Sequence, residues 1–355
     1  MENLVLDVFN SDAFSVTELS KSIDLVPIKW GRLGELNIFP EKGIPTTTVM
    51  VEYRNNKLSI LPTKPRGAPG SVGDVGRRYA KTFAIPHIPH DDTVQADEIQ
   101  NVRAFGGVPR LESVMDVVNR KLLTMRNKHD ITLEHMRAGM MQGKLIDFDG
   151  TVLLNLFTEF SVTEPTIAFN FDGPPTDQAM VTACDKVKAW MEDNLLGDVS
   201  TGIRVMCSPT FWRYFIANPT VLKSYQLYQA MVANSPNPLR DDVRRGFLWQ
   251  DMIWEQYRAK GSYENADGTY TSAPFLTDGE CRFIPEGTMN TFSTYFGPPT
   301  FMEAVNEPGL RYFAKAVPER ANRWVDLFSQ SNPLPLCEKP AVLIRGYATG
   351  GATNI

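Results

Sequence analysis

Hydrophobic and polar positions alternate along Thr46–Tyr53 and again along Lys57–Leu61, with Asn55-Asn56 between them. Period-two alternation around a short Asn turn predicts a β-hairpin. A Pro/Gly-rich turn follows, then a basic third strand around Arg77–Ile85. An isolated hairpin is marginal in water. Residues 41–93 are therefore expected to lie on something else, a neighbouring copy of the same chain. The pattern changes at Pro109. Leu111, Val114, Met115, Val118, Leu122, Met125, Met136 and Met140 share one stripe with steps of three and four, and Gly143 supplies a stop. This predicts a helix over 109–143, roughly 50 Å long at ~1.5 Å per residue. One apolar stripe with a charged remainder implies a structural spine lying on one sheet. A coiled coil is the alternative, but no sustained flanking charge pattern accompanies the stripe.

Elsewhere the elements are shorter. Ser15-Val-Thr-Glu18 reads as a capping box opening a helix through Ile23, which Pro27 stops. Gly31 and Gly34 make the path to Phe39-Pro40 loop-like. Residues 144–175 return to strand character, with a turn at Asp149-Gly150. Residues 176–280 read as an α/β unit. It comprises a helix Asp177–Leu196 ended by Gly197, a strand Ile203–Cys207, helices over 209–232, a hairpin over 247–260, and a strand near 280–287. From 290 to 349 the chain is strand-rich, in Tyr312–Glu319, Arg323–Gln330 and Pro340–Tyr347. These strands are expected to pair with the segment after the spine, which makes 176–280 an insertion between two parts of one sheet domain.

Composition narrows the role. The 355 residues, 43% hydrophobic, can bury a sizeable core. The net charge of −5 argues against dedicated nucleic-acid binding, whose affinity comes mostly from cationic contacts to phosphate. The charge is unevenly spread. Lys64, Arg66, Arg77, Arg78 and Lys81 lie in the arm, and Asp91, Asp92, Asp97 and Glu98 follow at its root. A basic arm and an acidic root can pair between copies, although most charge runs are solvated faces. The four cysteines are far apart with no CxxC, so free buried thiols of a cytoplasmic protein fit better than a disulfide or zinc framework. No secretory signal or apolar run of about 18–20 residues is visible.

Candidate chemistry is sparse. LIDFDGTVLL (145–154) matches the DxDGT signature of haloacid-dehalogenase-type phosphotransferases. There Asp147 would be the nucleophile and Asp149 the acid/base, with Mg²⁺ held by oxygen ligands and Ser208 ending a later strand. Only Leu145 and Ile146 precede the motif, Asp241-Asp242 follow NSPNPLR rather than a strand, and no lysine stands where one is needed. Asp-Gly between apolar residues is also a hairpin turn, and that is the preferred reading. His87 and His90, three apart in an extended segment, do not face one way. His129 continues the apolar stripe and reads as a packed histidine. His129 and His135, six apart, miss the spacing of two ligands on one helix face. The aromatics Phe211–Phe215, Tyr225, Tyr228, Trp249 and Trp254 read as core or interface packing rather than base stacking. No catalytic, cofactor-binding or metal residue is assigned.

Several blocks, in order, carry a family resemblance. They are DAFSVTEL (12–19), GRLGEL (31–36), PTKPRGAPG (62–70), FAIPHIPHDD with QADEIQNVRAFG (83–106), the spine, and IDFDGTVLLNLF (146–157). They continue with TYFGPPTFMEAVNEPGLRYFAKAVPE (294–319) and SQSNPLPLCEKPAVLIRG (329–346). The chain resembles the major capsid proteins of lambda-like tailed bacteriophages, the capsid protein E family. The resemblance implies the α+β Hong Kong phage capsid fold. Its expected parts are an N-terminal arm (1–40), an extended loop (41–93), a peripheral domain with the spine (94–169 and 286–355) and an axial domain (170–285). It implies a virion protein, assembled in the bacterial host cytoplasm, whose hexamers and pentamers form an icosahedral shell around double-stranded DNA. The implied partners are other copies, a portal, a scaffold and a small decoration protein, with no cofactor. SYENADGTYTSAP (262–274) reads as a loop-like insert that departs from the family.

Overall fold

In the computed structural model the described residues are 31–54, 78–96, 98, 110–171, 177–233, 246–264, 269–321 and 323–355. The expected helix over 15–23 and the strand Lys57–Leu61 lie outside them. In chain order, a helical turn α1 (Arg32–Glu35) leads to β1 (Glu41–Gly43), β2 (Thr48–Arg54), β3 (Arg78–Ala84) and β4 (Ile88–Gln95). The spine helix α2 (Arg110–Met141) precedes β5 (Lys144–Ile146), β6 (Val152–Asn155), α3 (Leu156–Phe160) and β7 (Thr166–Ala168). Next come α4 (Asp177–Asn194), β8 (Gly202–Cys207), α5 (Pro209–Ala217), α6 (Pro219–Ala233), β9 (Phe247–Trp249) and β10 (Met252–Gln256). The chain finishes with β11 (Lys260–Glu264), β12 (Tyr270–Pro274), β13 (Glu280–Glu286), β14 (Phe292–Phe296), β15 (Phe313–Pro318), β16 (Trp324–Ser331), β17 (Pro333–Cys337) and β18 (Ile344–Tyr347).

The apolar stripe of the spine serves two cores where the sequence pattern suggests one sheet. Val118, Leu122 and Met125 pack on Val94, Ala314, Val325 and Leu327 of the three-stranded sheet β15-β16-β4 and on Tyr312 just before it. One end of the same helix, through Met136, Met140 and Met141, enters a second core with Leu33, Phe39, Val49, Phe83, Leu334 and Leu336. The helix thus joins two packing units instead of lying on one sheet. Between them Arg126, Asp130, Glu134 and Arg137 are all buried. Their spacing of four, four and three puts them on one face, so a set of charges expected in solvent forms an internal ionic seam.

The α/β unit is a six-stranded sheet in the order β7-β18-β13-β8-β10-β9. Its core joins Met180, Cys184, Val187 and Met191 of α4 to Phe211, Trp212 and Phe215 of α5 and to Trp254, Cys281 and Phe283 of the sheet. Phe215 stacks on Trp254 at 4.2 Å between ring centroids, so these aromatics fill a core. Two strands, Thr166–Ala168 and Ile344–Tyr347, come from outside 170–285.

Strand pairing departs from expectation in two further places. Among the described residues, β18 is the one late strand that pairs with the segment after the spine, parallel to β7. β16 pairs antiparallel with β4, in front of the spine, and β14 lies between β17 and β1. The loop-like insert at 262–274 belongs to an antiparallel ribbon, β11–β12, with Ser262 opposite Ser272. The path expected to be loop-like after Gly31 contains the turn α1, capped from the spine as described below.

Candidate assembly surfaces

The predicted arm is rooted in its own chain. β2 pairs antiparallel with β3, Val49 opposite Phe83 and Val51 opposite Lys81. The partner of the first strand is thus the basic third strand. Alternation sorts the ribbon: Val49, Val51 and Phe83 are buried in the second core, while Met50 is 63% exposed. Phe83 stacks on Phe160 at 6.0 Å. The expectation of an arm lying wholly on a neighbour is therefore corrected for its base.

The charged candidates separate into two groups. Lys81 pairs with Glu159 at 3.3 Å and lies over the Phe160 ring. Asp92 and Glu98 flank Lys121 of the spine, at 3.6 and 2.8 Å, and the same ammonium donates to the Thr93 carbonyl. Asp91 is exposed beside them. Among the described residues, Lys81 of the basic arm and Asp92 and Glu98 of the acidic root have different partners. Arg78 opposes Arg54 in the ribbon register. Lys64, Arg66, Arg77 and Asp97 lie outside the described residues.

The ionic seam of the spine holds four distant segments. Glu134 accepts hydrogen bonds from the Leu33 amide at 3.1 Å and the Tyr257 hydroxyl at 3.0 Å. Burial pushes its pKa up, and those two hydrogen bonds oppose the rise. Arg137 pairs with Glu41 at 2.8 Å and donates to Thr294 Oγ1. Burial draws its pKa down, with Glu41 opposing. Arg311 bridges Glu41 at 3.0 Å to Asp130 at 2.8 Å, and the Tyr312 hydroxyl donates to Asp130. Leu33, Glu41, Tyr257 and Arg311 are thus tied to the spine. The sequence carries charges of both signs at positions 126, 130, 134 and 137, but such spacing ordinarily marks a solvated face.

The residues considered for chemistry occupy structural positions. Asp147-Phe148-Asp149-Gly150-Thr151 is the turn between β5 and β6; the Asp147 amide donates to the Thr151 carbonyl at 2.9 Å. The Asp149 carboxylate accepts the Thr151 amide, and Gly150 takes φ 84°. This is the hairpin reading of DFDGT, with β5 antiparallel to β6. Ser208 caps α5 by accepting the Phe211 amide at 3.3 Å. Asp241 and Asp242 lie outside the described residues. His87 Nδ1 is 2.8 Å from Asn332 Oδ1, and His129 Nε2 is 2.9 Å from Ser329 Oγ. Burial, then His90 and Lys128, lower the His129 pKa to about 4. His135 packs between Tyr263 and Phe275. Among the described residues no group of three or more His, Cys, Asp or Glu side chains could hold a metal ion. Among them, too, no helix is long and apolar enough to cross a membrane.

Two apolar surfaces stand out. Phe148 and Leu153, 68% and 50% exposed, rim a cleft that Ile131 and His135 of the spine share with Tyr263 of the β11–β12 ribbon. At the other site Leu196, Val199 and Met289 are each more than 70% exposed. They surround Asp198, whose carboxylate accepts the Met289 and Asn290 amides at 3.1 Å and the Thr291 hydroxyl at 2.9 Å. Burial works against this charge, yet these donors and Lys339 hold its pKa at about 2. A hydrogen-bonded loop thereby displays apolar side chains to solvent.

Comparison with known proteins agrees with this architecture. The chain is 29% identical over 350 residues to the major capsid protein of Pseudomonas phage KPP10, covering 94% of this chain and 97% of that one. It is 25% identical over 363 residues to the major capsid protein of Salmonella phage Felix O1, covering 95% and 98%. The solved capsid of Ralstonia phage GP4 shares the fold at a TM-score of 0.52 with 10% identity, over 93% of this chain and 94% of that one. The family model of phage major capsid protein E matches residues 15–348. The chain belongs to the phage major capsid protein E family.

Proposed function

We propose that copies of this chain assemble into hexamers and pentamers that close an icosahedral head shell around packaged double-stranded DNA. The observation that carries this reading is the family match over residues 15–348. The rooted ribbon β2–β3 supports it. Its base is fixed to the body, since Val49, Val51 and Phe83 are buried in the second core, and such a root suits an extended loop that serves an adjacent subunit. In this reading the β7–β18–β13–β8–β10–β9 unit is the axial domain and the spine with its two sheets is the peripheral domain. The exposed Leu196, Val199 and Met289 then face neighbouring copies, as do the basic residues of the arm and Asp91 at its root.

Assembly takes place in the host cytoplasm, with a portal, a scaffold and a small decoration protein as further partners. The net charge of −5 fits a container that does not grip its contents. Sedimentation of the purified chain tests the proposal. Pentamers, hexamers or shells are expected, and a concentration-independent monomer would contradict it. The phosphatase reading of Asp147 is not retained, because DFDGT is a hairpin turn between antiparallel strands.

A further inference from the structure

Three of the four cysteines share one core. Cys207 on β8 stands directly opposite Cys281 on β13 in the antiparallel register. The next rung is hydrogen-bonded, since the Ser208 amide donates to the Glu280 carbonyl at 2.9 Å. Hydrogen-bonded and non-hydrogen-bonded rungs alternate, so the Cys207–Cys281 rung is of the second kind. In such rungs the Cα atoms are about 4.5 Å apart and the side chains are closest. A disulfide accepts Cα separations of roughly 4.4–6.8 Å. On the other side of β13, Cys281 faces Gly346 of β18. A Cβ at that position would come within 2.4 Å of the Cys281 sulfur, so the glycine leaves the thiol its space.

We propose that Cys207 and Cys281 are a modification site: a thiol pair that a small disulfide oxidant converts into a cross-strand disulfide at the centre of the six-stranded sheet. The thiolate of one cysteine attacks the oxidant, such as oxidised glutathione, and displaces one glutathione thiolate. The second cysteine thiolate attacks the mixed disulfide and displaces the other. One S–S bond forms in the protein and one breaks in the oxidant. The two protein thiol protons end on the two released glutathiones, and the two electrons reduce them. Both sulfurs are fully buried, so the reaction proceeds through opening of the sheet and is slow. The bond would tie strands separated by more than 70 positions of sequence, where cross-linking restricts the unfolded chain strongly. If the shell reading holds, the reaction hardens a particle once it leaves a thiol-reducing interior. The bond itself does not depend on that reading.

Cys184 and Cys337 are internal controls. Cys184 reaches the same core from α4, outside the strand register, and Cys337 lies in a different core opposite Phe292. The full-length chain is incubated with oxidised glutathione, both folded and during refolding from urea, then alkylated under denaturing, non-reducing conditions and mapped by mass spectrometry. The expected result is a drop from four free thiols to two, a linked Cys207–Cys281 peptide pair, and alkylated Cys184 and Cys337. The link persists in Cys184→Ala and is lost in Cys281→Ala. Four free thiols after oxidative refolding, or a link through Cys184 or Cys337, overturns the proposal. Loss of shell assembly leaves this map unchanged, so the two readings fail separately.

Discussion

The carboxylate of Glu134, in the last third of the spine, accepts the backbone N–H of Leu33 at 3.1 Å across 101 positions of sequence. It also accepts the Tyr257 hydroxyl. A buried carboxylate on the spine thus caps the turn at 32–35 and fixes where the N-terminal segment leaves the body. Glu134→Ala leaves two buried donors without acceptors. We predict a loss of about 3 kcal/mol in urea unfolding, with Glu134→Gln recovering part of it. A loss under about 1 kcal/mol would show that water replaces the carboxylate.

The Lys81–Glu159 pair separates stability from assembly. Both side chains are partly exposed, 29% and 47%, and such pairs contribute about 0–1 kcal/mol. Lys81→Ala is therefore expected to shift chemical denaturation by less than ~1 kcal/mol while lowering the yield of closed particles seen by light scattering. Unchanged yield would remove Lys81 from the assembly contacts.

Gly143 ends the spine at φ 73° and sits under the Phe157 ring, where an added Cβ would come within 2.3 Å of Phe157 Cε2. Gly143→Ala combines left-handed strain with overpacking. The expected cost is about 2–4 kcal/mol, visible as a lower thermal midpoint. A neutral outcome would mean that α3 can shift away from the helix end.

Stability should fall on mild acidification. The folded His129 pKa of about 4 lies below its ordinary 6.5, so between those values the unfolded chain binds the proton and the folded chain does not. Stability is full above pH 6.5, declines as pH falls toward 4, and levels off below. The change is about 3 kcal/mol at most. His90, 6.2 Å away between ring centroids and also lowered by burial, acts in the same direction. Urea midpoints across this range measure the slope. His129→Gln, which keeps a polar group toward Ser329, should flatten it; an unaltered slope assigns the effect elsewhere.

What was legible in the chain were elements with local signals. The stripe from Val118 to Met140 marks the spine, and Asp149-Gly150 marks the β5–β6 turn. The helices after Asp177 and Pro209 also fall where their caps and apolar steps place them. The missed ribbon at 260–274 had its signal in Asp267-Gly268 between Tyr263 and Tyr270. The ionic seam was not legible, because Arg126, Asp130, Glu134 and Arg137 are buried only by partners such as Glu41, Tyr257 and Arg311. Long-range pairing was equally hidden. Nothing near Trp324–Ser331 says that it will meet Ile88–Gln95.

Negative-stain microscopy of the expressed chain beside a deletion of residues 46–85 bears most directly on the shell. The full chain should form closed particles of uniform diameter. The deletion should form none, while keeping the near-ultraviolet signal of the Trp254–Phe215 core. Compact monomers from the full chain at high concentration, or normal particles from the deletion, would contradict the account.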